Sequence, residues 1–409
     1  MKDNRNMNSE IRSDAAVPQT PAGSAVLPLD SSAVLPLDSS FTVEVTGWYR
    51  DNRRDLPWRQ DKDPYHVWVS EIMLQQTRVE AVRDYYLRFM QALPTIEALA
   101  EAEEEQLLKL WQGLGYYNRV RNLQKAARQI LQNPSAGFPR TMPEILALPG
   151  IGEYTAGAIA SICFNQRTPA VDGNVLRVMA RLTEEEGDVK STPVKRRFTE
   201  LLAGLYPDTD CGDFTQGLIE LGALVCLPNG QPRCEMCPVS GFCRAWAAGR
   251  AMELPVKAEK KARRQEQRTV FILSCGGRVA VRRRPKGSLL GNLYEFPQVS
   301  QHLTAGAAVS QAEAWGCHPL DVTRSKQYKH IFSHVEWDMT GYYITCGLEG
   351  TGEVSREGAG DGLPIDGAGD SLQPEGAGEP GGQAFRWVSR EQLEEEIPLP
   401  SAFQPFCPE

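Results

Sequence analysis

No apolar run in this sequence is long enough to cross a bilayer. The longest nearly uninterrupted one, Thr155 to Phe164, is about half of the ~20 residues a spanning helix needs, so it reads as a buried helix. The apolar core of a secretory signal is also missing between Met1 and Ser40, which predicts a cytoplasmic protein that is not secreted. Net positive charge is lacking as well. The formal charge is −8, and charge alone gives no reason to expect a nucleic-acid partner. The acidity is localised, however: residues 349–384 hold eight carboxylates against one arginine, which leaves the rest near neutrality. Ten cysteines in a reducing compartment, four of them between Cys226 and Cys243, suggest metal ligation more than disulfides.

A length of 409 residues suggests two or three domains. Residues 1–40 are rich in Ser, Ala, Pro and Asp. They contain a perfect tandem octapeptide, Ser24 to Ser31 followed by Ser32 to Ser39, too few copies for a solenoid, and read as a disordered leader. From Phe41 to about residue 255 apolar residues recur at three- and four-residue spacing, which predicts an all-α domain. Residues 256–268 have the composition of a solvated linker. Beyond them Thr269 to Ser274 and Arg278 to Arg283 flank Gly276-Gly277, a hairpin that opens a β-containing domain, 269–409. The Gly-, Glu-, Asp- and Pro-rich stretch 349–384 is too polar to bury anything and reads as a disordered acidic insertion.

Three local patterns carry chemistry. Cys226-x7-Cys234-x2-Cys237-x5-Cys243 could bring four thiols to one soft metal centre. Structural zinc sites prefer two Cys-x2-Cys pairs and only one is present, so the spacing leans towards a cubane cluster, with zinc or buried free thiols as the alternatives. Leu148-Pro-Gly-Ile-Gly152 lies between a short helix from near Pro143 and an apolar one over Glu153 to Phe164. Gly150 and Gly152 allow a tight hairpin whose following helix N-terminus can approach a phosphate, although an ordinary turn has the same signature. Asp172, in Val171-Asp-Gly-Asn-Val175, opens a helix over Val175 to Leu182. Dipole and amide contacts there would hold it ionised; a plain helix cap is the simpler reading.

Taken with Arg54-Asp-Leu-Pro-Trp-Arg59, Trp68-Val-Ser-Glu-Ile-Met-Leu-Gln-Gln-Thr77, Gly113-Leu-Gly-Tyr-Tyr117, Glu153-Tyr-Thr155 and Phe332-Ser-His334, these segments make the chain resemble the MutY-type adenine DNA glycosylases of the helix-hairpin-helix superfamily, from about Phe41 onward. The resemblance implies a multidomain protein. An all-α helix-hairpin-helix glycosylase domain, two helical modules around a base pocket, would carry a [4Fe–4S] cluster loop, and an α+β Nudix-like domain would follow. A monovalent cation at the hairpin is implied as well. The substrate implied is double-stranded DNA with adenine opposite 8-oxoguanine or guanine, bound by a monomer with no membrane partner; repair or replication partners are not legible.

Roles carry over position by position. Glu71 would be the general acid that protonates adenine, its pKa raised by Trp68, Val69, Ile72 and Met73, and Asp172 would stabilise the oxocarbenium ion or bond to it. Tyr154 stands where bifunctional relatives resembling endonuclease III have a Schiff-base lysine. This implies a monofunctional enzyme in which Tyr154 and Asn174 orient Asp172 and the sugar. Trp58 and Arg59 would line the adenine pocket, with Arg54 and Leu114 also facing DNA. Gln76 and Tyr116 would wedge into the stack beside the damaged guanine, and Phe332, Ser333 and His334 would read it. The second domain lacks a Gly-x5-Glu-x7-Arg-Glu run, so neither Mg²⁺ nor nucleotide hydrolysis is expected. Two departures stand out: the first cysteine gap is seven residues where six is usual, and Tyr294 in Asn292-Leu-Tyr294-Glu-Phe296 replaces a common Trp. The competing readings are a bifunctional glycosylase/lyase acting on oxidised pyrimidines and a non-catalytic DNA-binding scaffold. Tyr154 argues against the first, and the pair Glu71 and Asp172 against the second.

Overall fold

A computed structural model describes residues 34–133, 137–256, 262–347 and 385–408. The disorder expected of residues 349–384 and of most of the leader concerns positions outside these. The leader ends earlier than its composition suggests: Leu35 donates its amide to the Gly241 carbonyl at 2.9 Å, and the first helix starts at Ser39.

The helical part runs through α1 (Ser39–Asn52), α2 (Pro64–Leu74), α3 (Val79–Ala92), α4 (Ile96–Glu101), α5 (Glu104–Leu110), α6 (Asn118–Ile130) and α7 (Met142–Leu146). It continues through α8 (Glu153–Phe164), α9 (Gly173–Thr183), α10 (Thr192–Leu205), α11 (Cys211–Leu224) and α12 (Arg244–Ala247). Its apolar side chains sort into two cores. One gathers α2 to α8 around Trp68, Phe89 and Trp111; the other joins α1 to α9, α10 and α11 around Phe41, Met179 and Phe214. Amphipathic spacing explains most members: α6 buries Val120, Leu123, Ala127 and Ile130 along one stripe. Helix α8 is different. Every residue from Thr155 to Ile162 is buried, and Gly157 lies so close to the Pro169 carbonyl that a Cβ would sit 2.3 Å from its oxygen. Among the described residues no helix is long and apolar enough to cross a membrane.

The second part is a mixed sheet. β1 (Arg264–Cys275), β2 (Arg278–Arg283), β3 (Tyr294–Glu295), β4 (Gln298–Val299), β5 (Pro319–Ile331), β6 (Val335–Cys346) and β7 (Arg386–Val388) are joined by α13 (Ala305–Ala314) and α14 (Arg390–Glu395). The main path is β3-β2-β1-β6-β5, with β1 and β6 parallel. The hairpin at Gly276-Gly277 is where the sequence puts it: both glycines have positive φ, and Cys275 pairs with Arg278. β1 begins at Arg264, inside the stretch expected to be linker, because its first residues pair with Val335 to Asp338 of β6. Burial on both faces explains the apolar run of β1. Val270 and Ile272 pack towards Phe403 and Phe406, Phe271 and Leu273 towards Trp315.

Candidate active site

A cleft of about 950 Å³ opens between the two helical cores and receives side chains from both. Asp63 caps α2, accepting from the Tyr65 amide at 2.8 Å, and Pro64 occupies the first turn. That helix carries Glu71 into the cleft wall. Asp172 caps α9, its Oδ1 accepting the amides of Asn174 and Val175, both at 2.8 Å. The two carboxyl groups lie a hundred residues apart in sequence and line the same cleft.

Their environments differ. Burial pushes the Glu71 carboxyl up to about 7, against the opposing effect of the Tyr154 hydroxyl, with the charge of Asp172 adding to the rise. The Tyr154 hydroxyl donates to Glu71 Oε2 at 2.7 Å. Tyr154 thus bonds Glu71 directly, while the charge of Asp172 is also near enough to raise the Tyr154 pKa. Asn174 Nδ2 donates to Asp172 Oδ2 at 2.7 Å. Asp172 brings a correction. Its amide contacts are present, yet burial outweighs them and its pKa is raised above the ordinary value, not lowered.

Asn174 is held in turn by Arg177, whose Nη2 donates to Asn174 Oδ1 at 2.9 Å and whose Nε donates to the Cys226 carbonyl at 2.7 Å. The cysteine loop thereby touches the support of the cleft. Cys226 follows α11, Cys234 and Cys237 flank a short 3-10 turn, and Cys243 caps α12. Within the first gap, Gly230 takes a positive φ of 72°. All four thiols line one small cavity with apolar neighbours Val178, Leu182, Leu221 and Val239. Arg181, buried beside them, donates Nη1 to Cys226 Sγ at 3.1 Å. Among the described residues no three His, Cys, Asp or Glu side chains are drawn together as one bound ion would require.

Trp58 and Arg59 both reach the cleft. Trp58 is buried, edge-on to Tyr86. Arg59 and Arg54 converge on a residue that the sequence reading overlooked, Glu220 of α11. Arg54 Nε meets Oε1 at 2.8 Å and Arg59 Nη2 meets Oε2 at 2.9 Å. Glu220 is fully buried, and these partners hold its carboxyl down at about 2 despite burial. A lone acid in the apolar run of α11 was the available signal. Arg119 was also missed. Its guanidinium takes the carbonyls of Ile72 and Gln75, each at 2.7 Å, and that of Leu114 at 2.8 Å. It thus ties together the loops that present Gln76 and Tyr116. Those two exposed residues have φ 59° and 48°, a left-handed conformation that costs a non-glycine residue of order 1–3 kcal/mol and persists only when its surroundings hold it. The side chain of Leu114, expected to face DNA, is buried in the helical core.

The hairpin between α7 and α8 uses its glycines unequally. Gly150, at φ 78°, has no room for a side chain, since a Cβ would lie 2.6 Å from that of Asn122. Gly152 has an ordinary φ of −102° and open space above it, so its role is to leave the N-terminus of α8 uncovered. Gly150 also lines a second cavity, of about 570 Å³, between the helical part and the sheet. Tyr116 and Arg119 form one wall, and the turn Phe332–His334 between β5 and β6 forms the other. Phe332 anchors that turn edge-on against Trp337, leaving Ser333 and His334 exposed at the tip.

A helix-hairpin-helix beside a two-carboxylate cleft, followed by a sheet domain, defines a base-excision repair fold. Residues 69–203 match the HhH-GPD superfamily of base excision DNA repair proteins, and residues 269–408 match the NUDIX domain. The mouse adenine DNA glycosylase is 37% identical over 72% of this chain and 68% of its own length, and the human one is 35% identical over 82% and 74%. The chain belongs to the adenine DNA glycosylase family. Among solved structures, a thermostable thymine-DNA glycosylase aligns with 51% of this chain and 96% of its own, at 29% identity and a TM-score of 0.47.

Proposed function

We propose that this enzyme is a monofunctional glycosylase that hydrolyses the N-glycosyl bond of adenine opposite 8-oxoguanine or guanine in duplex DNA, acting as a monomer. The observation that carries the reading is the pairing, in one cleft, of a buried carboxyl raised to about 7 with a second carboxyl at a helix N-terminus. A neutral purine leaves poorly. Glu71 in its acid form protonates the ring, and Asp172 beneath the sugar stabilises the positive charge that develops, or bonds to it transiently. Tyr154 positions the proton of Glu71, and Asn174 fixes the carboxylate of Asp172. Arg59 and Trp58 enclose the base. Among the described residues the lysine lining the cleft is Lys62, which is exposed, and Tyr154, not a lysine, bonds Glu71. Gln76, from the wall of the first cleft, and Tyr116, from the wall of the second cavity, enter the stack while Ser333 and His334 bond the oxidised edge. Extruding the adenine costs a few kcal/mol, least at a mispair.

The test compares duplexes containing adenine opposite 8-oxoguanine, adenine opposite guanine and an oxidised pyrimidine, each with and without alkali. Adenine release with strand breaks only after alkali is expected. Breaks before alkali, or preference for the pyrimidine, would favour the lyase reading.

For the four cysteines a [4Fe–4S] cluster fits better than zinc. Structural zinc sites prefer two Cys-x2-Cys pairs, only one is present here, and all four thiols line one cavity. A bound cluster would supply a rigid cross-link of the loop, and Arg181 would offset the charge of Cys226. The purified protein is expected to be brown and to contain iron and acid-labile sulfide in equal amounts; zinc alone would refute the assignment. At the hairpin, the backbone carbonyls around the bare Gly150 would hold a monovalent cation.

A further inference from the structure

The segment between β2 and β3 crosses from the sheet onto the helical part. Leu293 belongs to the sheet domain in sequence, yet it is fully buried in the core built from α2 to α8. Polar contacts surround it. Asn292 Nδ2 donates to Glu104 Oε1 at 3.4 Å, the Tyr294 hydroxyl donates to Glu105 Oε1 at 3.3 Å, and Arg283 lies 3.6 Å from Glu104 Oε2. From the helical side, Arg121 Nε holds Glu104 Oε1 at 2.9 Å while its Nη2 reaches the Gly291 carbonyl at 3.0 Å. Glu104 is therefore gripped from both sides.

The crossing segment is held in an uncommon shape. Leu290 and Asn292 have φ 62° and 65°, and a Cβ on Gly291 would lie 2.8 Å from the Pro285 carbonyl oxygen. Such a conformation persists only when its surroundings fix it. The same segment, through Ser288 to Gly291, lines the cavity that faces Tyr116, as do Arg121 and Asn122 of α6. Contacts at Glu104 thus hold a segment that lines the same cavity as Tyr116 and the turn Phe332–His334.

We propose that Glu104, with Leu293 as the apolar plug beside it, is a positioning residue that fixes the width of the cavity between the domains and hence recognition of the base opposite adenine. This rests on the reading of that cavity given above. The Glu104 side chain is 41% exposed, so its removal leaves no hole in a core. The test uses the full chain with its cluster and measures kcat and KM on adenine opposite 8-oxoguanine and opposite guanine. Glu104→Ala is expected to reduce the preference for 8-oxoguanine by about fivefold, through KM and not kcat. Glu104→Gln, which keeps an oxygen to accept from Asn292 and Arg121, is expected to restore most of it. An unchanged preference in the alanine variant, or equal losses on both duplexes, would overturn the positioning role alone. Wild-type protein with no preference between the duplexes would overturn the cavity reading and this inference with it.

Discussion

Replacing Glu71 with glutamine is expected to slow single-turnover adenine release by about 10²–10⁴-fold, the usual contribution of a positioned general acid. The amide matches the carboxyl in size and can still accept from the Tyr154 hydroxyl, so the cleft keeps its shape while losing the proton it would deliver. DNA affinity should hold, measured by titration of a duplex with adenine opposite 8-oxoguanine. The wild-type pH profile supplies a second readout with a fixed sign. The reactive form of Glu71 is protonated and its pKa is raised to about 7, so the rate is expected to decline as pH climbs through that value. A glutamine variant that retains the wild-type rate, or a wild-type rate that rises over that range, would remove Glu71 from the acid role.

Asp172→Asn isolates the other half of the chemistry. Asparagine caps a helix about as well as aspartate, so α9 and the thermal transition should survive the change. What disappears is the negative charge beneath the sugar. Loss of a preorganised electrostatic partner typically lowers kcat by about 10²–10³-fold, or ~2.7–4 kcal/mol. The expected outcome is a folded, DNA-binding protein with a rate reduced by that factor. Near-normal excision would mean that the oxocarbenium charge is balanced elsewhere in the cleft.

Features set by neighbours in sequence were legible in advance. Helix α8 spans the expected Glu153 to Phe164, Asp172 caps the helix it was expected to open, and Gly276-Gly277 makes the expected turn. In each case a local pattern of apolar spacing, capping or positive φ suffices. The misses depend on distance. The partners of Glu220, Arg54 and Arg59, lie more than 160 residues away, and Tyr154 finds Glu71 across 83. No periodicity reports such pairings. The burial of Leu114 was not legible for a related reason, because a short Gly-flanked motif does not show which of its side chains turn inward. The raised pKa of Asp172 arises from burial, a property of the assembled modules and not of the cap.

The hold that Arg119 has on its ring of carbonyls bears on how the enzyme searches a genome. If Gln76 and Tyr116 wedge into the stack as proposed, the backbone that carries them is braced by Arg119 before any encounter and would not fold aside when a sound duplex presses against it. Each trial insertion would then fall as a deformation on the nucleic acid, and weakly stacked pairs would yield first. Damage would be found mechanically, through compliance of the double helix, before any atom of the lesion is read.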